Sequence, residues 1–124
     1  MRRQRPEQAL QRSVAELLDQ LGWLWCHVPN GGWRTKTEAA IFQGLGVKPG
    51  VPDILIFENW IVDRYGGFGL AIELKAGRGK VTPSQGSWIS ELTKRGWLCY
   101  VARNMDDVMS IIVKVNPRNL RRPL

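Results

Sequence analysis

The fold of this chain is decided at residues 51–75, which open with VPDILIF (51–57) and close with FGLAIELK (68–75). Both runs are apolar and have the length of a strand, and the Gly66-Gly67 pair between them is a turn signal. The pattern predicts two buried strands joined by a hairpin-like connection.

Three charged residues interrupt these apolar runs: Asp53, Glu73 and Lys75. Residues i and i+2 of a strand point to the same face, so Glu73 and Lys75 are predicted to lie side by side. If the strands pair with Asp53 facing them, two carboxylates and one ammonium converge on one patch of an otherwise apolar sheet. Buried charges are costly unless they pair or hold a metal ion, so we expect this patch to be the functional site of the protein.

Composition indicates a folded domain with a basic surface. The 44% apolar fraction and six Trp residues argue against disorder, and 124 residues suffice for one core. We therefore expect a single domain over residues 1–124, with mobile ends at 1–5 and 116–124. The net charge of +7 favours an anionic partner, nucleic acid first, or else serves as a solubilising surface. The candidate DNA-binding residues are Arg34, Lys36, Arg78 and Lys80.

Cysteine and histidine content disfavours several kinds of site. Cys26 and Cys99 each lie in an apolar run and are predicted to be buried free thiols. His27 is the only histidine, which disfavours both a His/Cys metal site and a Ser-His-Asp triad. The sequence shows neither an apolar signal region nor a run of membrane-spanning length. We expect a cytoplasmic protein of a bacterial or phage-infected host cell, with no membrane partner and no small-molecule cofactor.

Hydrophobic periodicity on either side of the central window predicts further helices and strands. Apolar residues at helical spacing define the helices, and short apolar runs bounded by turn residues define the strands. A mixed sheet flanked by helices, an α/β fold, is the expected arrangement. The predicted elements are a helix at 6–21, a strand at 23–28, a short helix at 38–43, a helix between Thr82 and Gly96, a strand at 97–102 and a helix at 105–113 capped by Asn104.

Two helices carry polar residues on the face that is expected to point inward. Glu7 projects into the apolar stripe of the first helix, either to complement the helix dipole or to reach a site, whereas Glu16 points the opposite way. Thr82 and Gln85 have the spacing of a capping box, and Gln85 either closes that box or turns its amide toward the site. The apolar residues that this later helix is expected to bury are Trp88, Ile89 and Leu92.

Two tryptophans in irregular segments are candidates for contact surfaces. Trp33 lies beside Arg34 and Lys36, a combination that suits base stacking with phosphate contact and equally suits an ordinary packed loop. Trp33 and Trp60 are also candidate anchors for a second copy of the chain.

The central charged patch has the composition needed for phosphodiester hydrolysis. That reaction requires a nucleophilic water, neutralisation of charge on the scissile phosphate and help for the leaving oxygen, much of which a hard divalent cation supplies. Asp53 and Glu73 can hold Mg²⁺, with the backbone carbonyl of Leu74 as a further ligand. The ammonium of Lys75 can stabilise charge on the phosphorane or orient the attacking water.

Five motifs occur in order along the chain: ExxLQ at 7–11, NGG at 30–32, GVPD at 50–53, IELK at 72–75 and TPSQ at 82–85. Together they resemble the PD-(D/E)xK nuclease superfamily and, in finer detail, its virus-type replication-repair nuclease (VRR-NUC) branch. The resemblance spans residues 7 to about 113. It implies an αβββαβ, restriction-endonuclease-like core and Mg²⁺- or Mn²⁺-dependent DNA cleavage. It also implies that Glu7 is a site residue reaching the metal cluster, and that Gln85 is a site residue.

The resemblance favours one function among several. Single-domain, phage-borne relatives resemble structure-specific endonucleases that resolve four-way (Holliday) junctions as homodimers, which makes that function the leading hypothesis. A restriction-like or flap- or duplex-directed DNA endonuclease is the alternative within enzymes. A DNA-binding module without catalytic activity and a purely structural interaction domain are alternatives from other classes.

Overall fold

A four-stranded mixed sheet forms the centre of the fold. The computed structural model describes residues 6–29, 35–62 and 65–115, of which 60–62 and 65–66 are described by their backbone alone. The helices are α1 (Pro6–Leu21), α2 (Lys36–Gly44), α3 (Pro83–Lys94) and α4 (Met105–Val115). The strands are β1 (Trp25–His27), β2 (Ile54–Ile56), β3 (Trp60–Val62), β4 (Tyr65–Gly67), β5 (Gly69–Leu74) and β6 (Trp97–Ala102).

The order of strands in the central sheet is β1-β2-β5-β6. β1 pairs antiparallel with β2, and β2 pairs antiparallel with β5. β5 and β6 run parallel, and α3 lies in the crossover connection that a parallel pair requires. The predicted α/β class and αβββαβ core are therefore confirmed, with α2, α4 and a separate β3–β4 pair added to them. Within the described ranges, every helix is too short or too polar to cross a membrane.

One face of the sheet carries the hydrophobic core. Side chains alternate along a strand, so Leu70, Ile72 and Leu74 point to the same side of β5 and are buried there. The opposite side of β5 carries Ala71 and Glu73, and Glu73 meets α3 on that side. The helices contribute Leu10, Val14, Leu18, Val108, Ile111, Ile112 and Val115 to the core.

Several element boundaries predicted from the sequence are confirmed. The helix at 6–21 and the strand at 97–102 have the predicted bounds. The last helix begins at Met105 as predicted and continues to Val115, beyond the predicted end. Asn104 caps this helix, because its Oδ1 accepts a hydrogen bond from the N–H of Asp107 at 2.8 Å.

Two strand predictions need correction. Gly66-Gly67 lies inside β4, paired with Trp60 and Ile61 of β3, rather than in a turn. The connection between β2 and β5 is long enough to form this hairpin of its own. The strand predicted at 23–28 is shorter, because only the segment Trp25–His27 pairs with β2. The predicted mobile ends, 1–5 and 116–124, lie outside the described residues.

Burial predictions are wrong at the two edges of the sheet. Cys26 is exposed because β1 is an edge strand. Cys99 lies in the other edge strand and is half-buried, and this burial raises the pKa of its thiol. Trp88, Ile89 and Leu92 are also half-buried, since α3 packs mainly on the edge strand β6.

A buried glycine brings the turn before Asp53 against the first turn of α3. Gly50 has a φ of +90°, and a β-carbon at this position would lie 2.6 Å from the carbonyl carbon and oxygen of Ser84. Both the backbone angle and the space therefore require glycine. The contact sets the segment that ends at Asp53 against the helical turn that carries Gln85.

Gly50→Ala is expected to lower the free energy of unfolding by more than about 2 kcal/mol, because left-handed strain adds to a backbone clash. Gly46→Ala is the matched control, since Gly46 has a φ of +98° with open space around it. The control carries the strain alone and is expected to cost about 1–2 kcal/mol. Urea unfolding measures both, and equal losses would contradict a close approach at Gly50.

Candidate active site

The strand register brings Asp53, Glu73 and Lys75 together at one end of the sheet. The antiparallel pairing of β2 with β5 places Asp53, just before β2, opposite Glu73. The Oδ2 atom of Asp53 accepts a hydrogen bond from the N–H of Leu74 at 2.8 Å. The Nζ atom of Lys75 lies 3.7 Å from Oε2 of Glu73. The structure thus brings together the two carboxylates and the ammonium singled out in the sequence.

Glu73 is buried with its carboxylate incompletely satisfied. The residue is 2% exposed. Its Oε2 accepts a hydrogen bond from Nε2 of Gln85 at 3.2 Å and faces the ammonium of Lys75. Its Oε1 finds no hydrogen-bond partner among the described residues. A buried carboxylate oxygen in this condition is costly, and a cation at this point would satisfy it.

The environment of Glu73 favours its protonated form in the absence of a cation. Burial, and after it the charge of the neighbouring Asp53, raise the pKa of Glu73 to about 8. The ammonium of Lys75 opposes this rise, and the charge of Glu7 adds slightly to it. Two adjacent carboxyls with one cation beside them resist full ionisation at neutral pH, as in a site that exchanges a proton for a metal ion.

Gln85 performs both of the roles that the sequence offered as alternatives. Its Oε1 accepts a hydrogen bond from the N–H of Thr82 at 2.9 Å, and its own N–H donates to Oγ1 of Thr82 at 3.3 Å, which closes the capping box. Its Nε2 remains available for Glu73. The amide thus joins the start of α3 to the buried carboxylate.

A cleft of about 360 Å³ opens beside this cluster. Asp53 and Leu74 line it together with Glu7 and Arg12 of α1. The side chain of Glu7 is exposed, so it enters the cleft rather than the buried stripe of its helix. The structure therefore places Glu7 where it can reach the site. Glu16 is exposed on another face of the same helix.

His27 is a cleft residue that the sequence did not assign to the site. Its Nδ1 lies 2.8 Å from the carbonyl oxygen of Asp53, which also accepts a hydrogen bond from the N–H of Val28 at 2.8 Å. A carbonyl can only accept, so Nδ1 carries the proton. The pairing of β1 with β2 could have indicated this position, because it places His27 beside the start of β2.

Three of the four predicted DNA-binding residues are exposed in the described part of the chain. Lys36 is exposed in the first turn of α2, and Arg78 and Lys80 are exposed in the segment that follows Lys75. Arg34 and the neighbouring Trp33 lie outside the described residues. The side chain of Trp60, the other candidate anchor, also lies outside the description.

The donor set at the cluster fits a hard divalent cation. Asp53 and Glu73 offer carboxylate oxygens, which such cations prefer, and Oε1 of Glu73 is buried with no hydrogen-bond partner among the described residues. Over residues 6–29, 35–62 and 65–115, no group of three His, Cys, Asp or Glu side chains converges as a ready-made metal site. Asp53 and Glu73 are thus a pair, and ligation by Glu7 stays a prediction.

An α/β domain with paired carboxylates and a lysine at the adjoining ends of two strands has the fold and site of a nuclease of the PD-(D/E)xK type. The family model described as the VRR-NUC domain matches residues 5–106, and the chain belongs to this family. A solved structure described as a VRR_NUC domain protein is 30% identical, with a TM-score of 0.72, over 93% of this chain and 91% of its own. No curated protein matches the chain. Nucleases of this kind generally use a divalent metal ion and act on DNA.

The pKa of Glu73 is expected to make the stability of the metal-free protein depend on pH. Its folded-state value of about 8 exceeds its ordinary value of 4.5, so between these limits the folded chain holds a proton that the unfolded chain has released. The free energy of unfolding should therefore fall as pH rises from about 5 to about 8, by at most about 1.4 kcal/mol per pH unit. Urea unfolding in a chelator measures this slope.

Glu73→Gln should remove this contribution and be more stable than wild type near pH 8, with the difference shrinking toward pH 5. Glu91→Gln is the control, because Arg95 and Lys94 lower the pKa of Glu91 and its titration lies below this window. The control should keep the wild-type slope. A slope that persists in the Glu73→Gln variant would contradict the assignment.

Proposed function

We propose that this protein is a metal-dependent, structure-specific DNA endonuclease that resolves four-way (Holliday) junctions as a homodimer. Membership of the VRR-NUC family supports the nuclease chemistry. The observation that carries metal dependence is the Oε1 atom of Glu73, which is buried beside Asp53 with no donor in the described part of the chain. A module that merely bound DNA would gain nothing from such an arrangement, since a carboxylate in this state costs stability.

The cation would be Mg²⁺ or Mn²⁺, held by Asp53, Glu73 and the backbone carbonyl of Leu74, with Glu7 reaching it from α1. Bound there, it supplies Lewis-acid stabilisation of the charge that develops on the scissile phosphate. The lining of one cleft by both Glu7 and Asp53 supports the part of Glu7 in this set.

Side chains of the protein would perform the other roles in catalysis and DNA binding. The ammonium of Lys75 is anchored beside Oε2 of Glu73 and would stabilise the negative charge of the transition state or orient the attacking water. Gln85 would hold the Glu73 carboxylate in a fixed orientation through its Nε2. Arg34, Lys36, Arg78 and Lys80 would contact the phosphates of the bound DNA, consistent with the net charge of +7.

A two-fold dimer follows from what junction resolution demands. Resolution requires two symmetric nicks, and each chain offers one Asp53–Glu73–Lys75 cluster. Large apolar side chains remain exposed and could bury against a second copy. The most exposed of them are Leu24 at 66%, Leu45 at 74%, Phe68 at 73% and Val113 at 68%.

A cleavage panel tests the proposal directly. Labelled single strand, duplex, flap and four-way junction are incubated with the protein and Mg²⁺, and the junction is expected to be cut symmetrically and faster than the other substrates. Asp53→Ala, Glu73→Ala or Lys75→Ala should abolish cleavage and keep most DNA affinity, because phosphate contacts dominate binding. Near-wild-type cleavage by any of these variants would refute the site.

The same panel separates the competing functions. Equal or faster cleavage of flap or duplex would replace the resolvase by a duplex- or flap-directed endonuclease with the same residues. DNA binding without cleavage at any metal concentration would leave a non-catalytic binding module. Light scattering with and without junction DNA reports the oligomeric state, and a strictly monomeric protein would exclude the resolvase.

Glu7→Gln is expected to raise the Mg²⁺ concentration needed for half-maximal cleavage by about tenfold or more, because it keeps the size of the side chain and removes its charge. The free energy of unfolding should change little, since Glu7 is exposed. Glu16→Gln, on another exposed face of α1, is the control and should behave as wild type. If the two variants require the same Mg²⁺ concentration, Glu7 only complements the helix dipole.

A further inference from the structure

Arg103 makes a pair of long-range hydrogen bonds that no catalytic motif explains. Its Nη1 donates to the carbonyl oxygens of Gly77 at 3.0 Å and of Gly79 at 2.6 Å. One guanidinium nitrogen carries two hydrogens and can serve both carbonyls at once. The backbone N–H of Arg103 donates to Oδ2 of Asp107 at 2.8 Å, which fixes the residue to the start of α4.

The segment that Arg103 holds, residues 76–80, is called the basic loop here. It follows the catalytic Lys75 directly and carries the exposed Arg78 and Lys80. A β-carbon on Gly79 would lie 3.5 Å from Cδ of Lys75 and 3.8 Å from Oε1 of Glu7. The backbone of the basic loop therefore runs close to two of the site residues, Lys75 and Glu7.

The basic loop has little restraint of its own, since the hydrogen bond from the N–H of Gly79 to the carbonyl oxygen of Ala76 is long, at 3.5 Å. Gly77 has a φ of +64°, and a segment containing two glycines has many accessible backbone conformations. Lys75 is anchored separately, since its N–H donates to the carbonyl oxygen of Ala102 at 2.9 Å. Arg103 thus restrains the chain beyond Lys75 without being needed to hold Lys75 itself.

We propose that Arg103 is a positioning residue for the substrate, which holds the basic loop so that Arg78 and Lys80 meet the phosphates next to the scissile bond. This rests on the proposed DNA-cleaving function and adds to it a residue outside the five motifs. The loss of Arg103 releases the loop, so DNA binds more weakly while the anchored Lys75 and its carboxylate partners keep their chemistry.

The restraint itself is tested without DNA by limited trypsin digestion. Arg103→Ala should speed cleavage after Arg78 and Lys80 by about fivefold or more, relative to cleavage after Arg12 in α1. Arg95→Ala is the matched control, because Arg95 is an exposed arginine directly after α3 whose Nη1 donates to the carbonyl of Glu91, in the last turn of that helix, at 2.9 Å. Equal cleavage of the basic loop in the two variants would overturn the restraint.

The effect on substrate is tested by steady-state cleavage of the best substrate of the panel. Arg103→Ala should raise KM by about tenfold and leave kcat within about twofold, whereas Arg95→Ala should change neither. The same substitution in an Arg78→Ala/Lys80→Ala background should raise KM less than about twofold further, because the loop has lost the groups that Arg103 positions. An equal rise in both backgrounds, or a fall in kcat alone, would overturn the proposal.

A second variant guards against misfolding and separates charge from restraint. Arg103→Lys keeps the charge on a side chain with a single terminal nitrogen, and we expect a loosened loop and a raised KM. A trypsin-sensitive loop with wild-type KM would show that loop position does not matter and would overturn the proposal. If the wild-type protein neither binds nor cuts DNA, the proposed function is refuted and the substrate role of Arg103 with it. If the wild-type protein cuts DNA and Arg103→Ala leaves KM unchanged, only the inference about Arg103 is refuted.

Discussion

Burial of the Glu73 carboxylate beside that of Asp53 is the constraint on which the rest of the site depends. Removing a carboxylate from water is costly, and a second carboxylate nearby adds repulsion. Lys75 and Gln85 offset part of this cost at Oε2, and the Leu74 N–H offsets part of it at Asp53. What remains is Oε1 of Glu73, unsatisfied by any described group. Natural proteins retain a buried, unsatisfied polar atom where a function uses it, and here a bound divalent cation would satisfy the oxygen.

The site also depends on the first turn of α3, which lies outside the strands that carry the charges. Gln85 joins the capping box to Glu73, and Gly50 lets the segment before Asp53 pack against the same turn. The first turn of α3, the turn at Gly50 and the Asp53–Glu73 pair are therefore held in fixed positions relative to one another. A substitution in the capping box would loosen α3 and also change the orientation of the Glu73 carboxylate. For the same reason, Gly50 is as important to the site as it is to the fold.

The sequence predicts the sheet and the centre of the site because both follow from strand alternation. Period-two patterning fixes which side of β5 carries Glu73, and with antiparallel pairing it fixes the place of Asp53. Sequence patterns do not predict side-chain exposure or contacts that depend on where a strand or helix lies in the fold. Cys26 is exposed because β1 is an edge strand, and His27 reaches the cleft through a pairing of strands distant in sequence. The double role of Gln85 could not be predicted, because it depends on the distance between the start of α3 and strand β5, and no local sequence pattern contains that distance.

In the proposed mechanism the Asp53–Glu73 pair exchanges a proton for a divalent cation, and calorimetric titration with Mn²⁺ in buffers of different ionisation enthalpy measures this exchange. At about pH 7 the Glu73 carboxyl is protonated in the metal-free chain, since its pKa is raised to about 8. Binding is therefore expected to release about one proton per chain at pH 7, and progressively less above pH 8. Glu73→Gln should abolish both the binding and the release. Wild-type protein that fails to bind Mn²⁺, or a Glu73→Gln variant that binds it as tightly as wild type, would exclude this exchange.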